Sequence, residues 1–162
     1  MKVSRTFVAG FALLFLTACG FQLKGLYEVP PALQQLTLVE NTTQPSSLGR
    51  ELTAQLQRNG VTLTSRANLK LVVESARYNR RAVILDANAD AQEYELSGEA
   101  QFAIYQGDST APAIERRVNV QRSVTETSDT LAQETLEARY RAEINRALAE
   151  QIIRQYLSFV PR

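Results

Sequence analysis

The side chains that could do covalent or acid–base chemistry in this chain are few, and their usual partners are missing. Ser97, beside Gly98, and Ser123 are candidate nucleophiles, but the 162 residues include no histidine. Histidine is the commonest general base and the usual activator of a serine or cysteine. Glu93, Glu95 and Glu99 form a carboxylate set, but their spacing puts them on the wet face of a strand, where water solvates them. One cysteine, Cys19, allows neither an internal disulfide nor a Cys/His metal cluster. Asp and Glu show no regular calcium-loop spacing. Composition therefore points away from an enzyme, and no cofactor or metal site is expected.

The cations tell more by kind than by number. Lys and Arg total 18 against 17 Asp and Glu, a near-neutral balance that argues against a bulk nucleic-acid binder. Past residue 18 the lysines are Lys24 and Lys70, and every other cation is arginine. The planar arginine fork suits specific contacts with carboxylate or phosphate. A genome biased toward arginine gives the same excess.

The first 18 residues read as a targeting segment. Lys2 and Arg5 are a short positive region, and Phe7 to Leu16 is a ten-residue apolar stretch. Small residues follow, which is the layout of a secretory signal peptide. The stretch is too short for a comfortable span, which needs about 20 residues. Leu16-Thr17-Ala18-Cys19 resembles the bacterial lipobox, in which the cysteine receives a diacylglyceryl group; an ordinary signal peptide with an accidental cysteine is the alternative. Cleavage before Cys19 leaves 16 cations against 17 anions. Stable anchoring takes more than one acyl chain, which a multiply acylated Cys19 supplies. Gly20 stands where aspartate would signal inner-membrane retention, so the resemblance implies transfer to the outer membrane.

The elements that must position the remaining polar residues follow from periodicity. Residues 19–31 read as a tether, with Gly20, Gly25 and the Pro30-Pro31 pair opposing helix. Leu36 to Glu40 is a short strand. A helix starts at Ser46 or Ser47, with Leu48, Leu52 and Leu56 as its apolar stripe and Asn59-Gly60 as its stop. Leu69, Leu71 and Val73 alternate, and Val83 and Leu85 continue the odd positions. Asp86 to Ala91 is a turn. Tyr94, Leu96, Gly98, Ala100, Phe102 and Ile104 then alternate with polar residues, giving one buried and one wet face. Ile114, Val118, Val120 and Val124 share a face of the last strand, interrupted by Arg116 and Arg122. Short turns make these three strands an antiparallel meander.

From Asp129 to about Ser158 the period is helical, with Leu136, Tyr140, Ile144, Leu148 and Ile152 on one stripe. Thr130 and Gln133 fit a capping box, and Glu137 with Arg141 and Glu150 with Arg154 are i,i+4 pairs. Its polar face carries both signs, so it reads as a helix that packs on a sheet and not one that lies on a membrane. The order β-α-β-β-β-α predicts an α/β two-layer sandwich over residues 32–162. A four-stranded mixed sheet would carry both helices on one face.

Cys19-Gly20-Phe21-Gln22-Leu23-Lys24-Gly25 resembles the start of the mature lipopolysaccharide-assembly lipoproteins of the LptE family. Further similarities lie in order along the chain: Val29-Pro30 before a strand, a helix over Leu48 to Leu63 ending in Asn-Gly-Val, Glu93-Tyr94, Arg122-Ser123, Arg146-Ala147, and Ala149 to Ile152. The resemblance implies an outer-membrane lipoprotein, held to the membrane through its lipid anchor, that sits in the lumen of the large barrel LptD. There it helps the barrel assemble and contacts lipopolysaccharide on its way to the outer leaflet. A polar barrel interior needs polar faces opposite it, such as Glu93/Glu95/Glu99/Gln101 and Glu115/Arg117/Asn119/Gln121. Lipid A phosphates favour arginine, which makes Arg80, Arg81, Arg116, Arg117 and Arg122 the candidate lipopolysaccharide-binding residues. A solvated strand arginine or a barrel contact is the alternative for each. The chain departs from the family at Asp86 to Ala91 and at Asp129 and Glu134. Family members carry basic residues there that have been associated with lipopolysaccharide. A periplasmic adaptor of another outer-membrane complex is the competing function.

Overall fold

The computed structural model describes residues 29–41, 46–85, 91–125 and 130–161. The predicted signal segment, Cys19, most of the predicted turn from Asp86 to Ala91, and the expected capping side chains Asp129 and Thr130 lie outside the described residues. The described chain enters through Val29, which is buried, and a short 3₁₀ turn over Pro31–Leu33. The last residues of the predicted tether therefore already belong to the fold. Gln34 Nε2 donates to the Val29 carbonyl at 3.1 Å, and the buried Tyr156 hydroxyl donates to the Leu33 carbonyl at 2.6 Å. Burial pushes the Tyr156 phenol up to about 12. This proton stays in place to hold the entry turn against the end of the last helix.

Strand β1 (Gln35–Glu40) leads to helix α1 (Ser47–Arg58). Ser46 caps α1 as its sequence position predicts, its Oγ accepting from the Gly49 amide at 2.9 Å. Glu40 adds a second anchor, its carboxylate accepting from the Ser46 amide at 3.1 Å. An acidic group at a helix N-terminus also meets the positive end of the dipole. Only glycine permits this approach, since a Cβ on Gly49 would stand 1.7 Å from Glu40 Oε1. The stripe Leu48, Leu52 and Leu56 is fully buried. Asn59 ends the helix, and Gly60 turns the chain at φ +83°.

The sheet has five strands, not the four expected. The additional one, β2 (Thr62–Leu63), is two residues long and runs parallel to β1 at the sheet edge. Strands β3 (Leu69–Leu85), β4 (Ala91–Gln106) and β5 (Ile114–Thr125) form the predicted antiparallel meander, and β3 runs parallel to β1. The spatial order is β2-β1-β3-β4-β5, a mixed sheet. Helix α2 (Thr130–Leu157) crosses β4 and β5 and packs beside α1, where Gln55 Nε2 donates to the Arg146 carbonyl at 3.2 Å. Leu36, Leu71, Ala100, Phe102, Val118, Ile144, Leu148 and Ile152 share one core between sheet and helices. The crossing is close at Gly98, where a Cβ would lie 2.3 Å from Ile144 Cγ2.

The second departure is in β3. Its inner positions do not stay odd as far as Leu85, because the register slips between Val73 and Ser75. Glu74 is the extra residue of a β-bulge, and one extra residue exchanges the two faces as far as Ala82, beyond which the register shifts again on either side of Ile84. Leu71 and Val73 face inward opposite Ile104 and Phe102, but afterwards the inward residues are Ala76, Tyr78 and Arg80, opposite Ala100, Gly98 and Leu96. Val83 and Leu85 are not core residues. With Ile84 they stand about half exposed at the far end of β3.

Candidate functional site

The bulge decides where the candidate arginines go. Arg80 and Arg81 are sequence neighbours on opposite faces of the sheet. Arg80 faces the helices, where its guanidinium lies 3.7 Å from the centre of the Tyr94 ring and 3.0 Å from Glu137 Oε1 on α2. Glu137, expected to pair with Arg141 along its own helix, thus reaches the sheet instead. Beside it, the Tyr78 hydroxyl donates to Asn145 Oδ1. Burial raises the Tyr78 phenol above its usual value, while that hydrogen bond and the nearby Arg141 charge pull the other way. Arg80 is therefore a joint between the outer part of the sheet and the last helix.

Arg81 faces away from the helices and stands opposite Glu95, with Nη2 3.2 Å from Oε1. Its side chain is 69% exposed, so this pair is a weak surface one. Arg117 lies on the same open face, 3.6 Å from Glu99. Arg116 and Arg122 fall in the rows of Phe102 and Leu96, on the helix side of edge strand β5. Both are exposed and donate to a carbonyl of their own strand, Arg116 to Glu115 at 3.0 Å and Arg122 to Gln121 at 2.8 Å. The five candidates do not converge. Three lie on the helix side and two on the open face.

The open face is polar over most of its length, with one apolar row, Val39, Val72 and Ala103, toward the β1 side. Asn79, Ser97 and Gln121 form one row and Arg77, Glu99 and Asn119 the next. Gln101 Nε2 donates to Glu115 Oε1 at 2.7 Å, and Lys70 sits 5.0 Å from the Tyr105 ring centre. No described helix covers this side. Ser97 lies here between Asn79 and Gln121, with the ion-paired Glu95 and Glu99 two residues to either side.

The end of the molecule away from β2 is amphiphilic, which periodicity alone did not reveal. Helix α2 lies over Gly98 with Ile144 and Leu148 and over the Leu96 row with Glu137. Its first turn, at about 1.5 Å per residue, therefore continues toward the Val83–Leu85 end of the sheet. Leu131 in that turn is 74% exposed. It lines a shallow groove of about 460 Å³ with Ala132, Thr135, Leu136 and Arg139. Exposed Val83, Ile84, Leu85 and Leu131 thus lie toward one end with Arg81, while Arg139 at the far side of the groove is paired with Glu143. Clustered exposed apolar residues bounded by charge mark contact with a partner or an amphiphile. Among the described residues no helix is long and apolar enough to cross a membrane.

Comparison with known proteins agrees with this architecture. The family model for LptE, described as lipopolysaccharide-assembly, matches residues 33–156. The LPS-assembly lipoprotein LptE of Yersinia pestis (strain Pestoides F) is 30% identical over 160 residues, covering 94% of this chain and 75% of that protein. The LptE of Yersinia pseudotuberculosis serotype O:1b (strain IP 31758) matches to the same extent. Among solved structures, rare lipoprotein B of Shewanella oneidensis superposes with a TM-score of 0.69 at 21% identity, over 76% of this chain and 94% of that one. A minor lipoprotein of Acinetobacter baumannii gives 0.64 at 23% identity, over 80% and 94%. These two share the fold. The match to the family model over nearly all of the folded part, and the curated relatives at 30% identity, establish that this chain belongs to the LptE family of lipopolysaccharide-assembly proteins.

Proposed function

We propose that the protein is an outer-membrane lipoprotein, anchored through an acylated Cys19, that fills the lumen of the LptD barrel, helps it assemble and assists lipopolysaccharide on its way to the outer leaflet. The observation that carries this reading is the uncovered sheet face in a chain of this family. Apart from the row of Val39, Val72 and Ala103 that face is polar, and its charges are balanced within it by pairs such as Arg81–Glu95 and Arg117–Glu99. A barrel lumen is lined by the polar half of alternating strands. A mixed-sign polar face meets such a wall without burying unpaired charge.

Lipopolysaccharide has acyl chains and phosphates, and the amphiphilic end offers Val83, Ile84, Leu85 and Leu131 to the first and Arg81 to the second. Arg81 is the best placed of the five candidates. Its pair with Glu95 is exposed and readily exchanged, whereas Arg80 is held by both Glu137 and Tyr94. Reversing Arg80 together with Arg81 would set a carboxylate beside Glu137 and loosen α2, so the single change Arg81→Asp is the cleaner probe. A charge-assisted contact contributes about 1.5–3 kcal/mol, so lipopolysaccharide binding by the purified protein should weaken roughly ten-fold or more. Arg117→Asp, on the same face but farther from the apolar end, should bind nearly as wild type does. Equal affinities for wild type and Arg81→Asp would remove Arg81 from the contact.

A further inference from the structure

The two sheet edges differ in length and in how they end. On one side β2 covers β1 at Gln35 and Leu36. On the other, β5 is an edge strand of 12 residues. A long regular edge is a template for another strand, because a row of backbone donors and acceptors faces outward. In an antiparallel pair the N–H and C=O of one residue point to the same side, and alternate residues point away from the partner. On β5 the carbonyls within reach of side-chain donors belong to alternate residues, which marks them as the outward set.

Three of these outward carbonyls are already taken. Arg116 Nη1 donates to the Glu115 carbonyl at 3.0 Å, Arg122 Nη1 to the Gln121 carbonyl at 2.8 Å, and Gln151 Nε2, reaching from α2, to the Asn119 carbonyl at 3.3 Å. The capped carbonyls fall at Glu115, Asn119 and Gln121, so the longest stretch between or beyond them is the last four residues, too short for a stable ladder. The arginines also bring charge to the edge, which opposes the approach of a second strand.

We propose that Arg116, Arg122 and Gln151 close the β5 edge against strand addition. The closure keeps the chain from pairing with its own copies. A further consequence rests on the barrel reading given above. A plug that accompanies an unfinished barrel stands among extended strands, and a capped edge prevents it from capturing one in place of its neighbour.

The test uses the mature lipoprotein in detergent. Sedimentation velocity should show wild type as one species at every concentration. The Arg116→Ala/Arg122→Ala/Gln151→Ala variant should shift to a faster species as concentration rises, and Arg116→Ala/Arg122→Ala, which leaves α2 untouched, should shift less. Adding Asn119→Pro to the triple variant should restore the wild-type pattern. The Asn119 amide points outward with its carbonyl, so proline removes an edge donor without breaking a bond to β4. A triple variant that sediments as wild type does overturns the proposal. Association that proline leaves intact overturns it too, since it would run through another surface. Neither result bears on LptD, so failure of the edge proposal and failure of the barrel reading remain separate outcomes.

Discussion

Phe102→Asp should leave the protein unfolded, whereas Gln101→Asp, one residue earlier, should stay close to wild type. Phe102 is fully buried in the shared core, opposite Val73. Truncating a buried aromatic ring costs about 3–5 kcal/mol before any charge is considered. An aspartate there has no partner inside, and burying an unpaired carboxylate adds several kcal/mol more. A domain of this size has roughly 5–15 kcal/mol in total, so the folded state should not survive. Gln101 lies on the open face. Its replacement gives up the hydrogen bond to Glu115 but stands opposite Arg117, and such a surface exchange changes stability by about 1 kcal/mol or less. A denaturant titration separates the two, and equal midpoints would mean that the faces of β4 have been assigned the wrong way round.

Cys19→Ser should abolish maturation. On the lipoprotein reading, Leu16-Thr17-Ala18-Cys19 offers one sulfur for a diacylglyceryl group, and a serine hydroxyl does not substitute for a thiolate in that transfer. The precursor should therefore keep its first 18 residues, lack lipid and fail to reach the outer membrane. Mass spectrometry of the membrane and soluble fractions reads all three. A serine variant that is still cut and carries acyl chains would disprove the assignment of residues 16–19.

Much of the fold was legible because the two-residue period of β4 and β5 is nearly unbroken, and because Leu48, Leu52 and Leu56 and the stripe of α2 are spaced for a helix. Two features were not. Strand β2 is two residues long, too short to carry a period, and exists because Thr62 and Leu63 are delivered alongside Gln35 and Leu36. The bulge at Glu74 has no compositional mark; an extra residue in a polar part of a strand looks like any other. Yet that residue sets the face of Arg80 and Arg81. The candidate site was read as a set of arginines, since residue type survives in a sequence. Their distribution over two faces depends on register, which only pairing with β4 reveals. Arg80, between Tyr78 and Ala82, is on the inner side only because the bulge exchanges the faces.

The central claim is that this protein works inside the LptD barrel. It is tested most directly by purifying the tagged, full-length lipoprotein from detergent-solubilised outer membranes and identifying what comes with it. The account predicts one dominant companion, LptD, in equal stoichiometry and as a folded barrel, with the complex surviving single arginine changes because a large enclosed interface spreads its energy over many contacts. Recovery of the lipoprotein without LptD, or in stable association with a different outer-membrane complex, would contradict it.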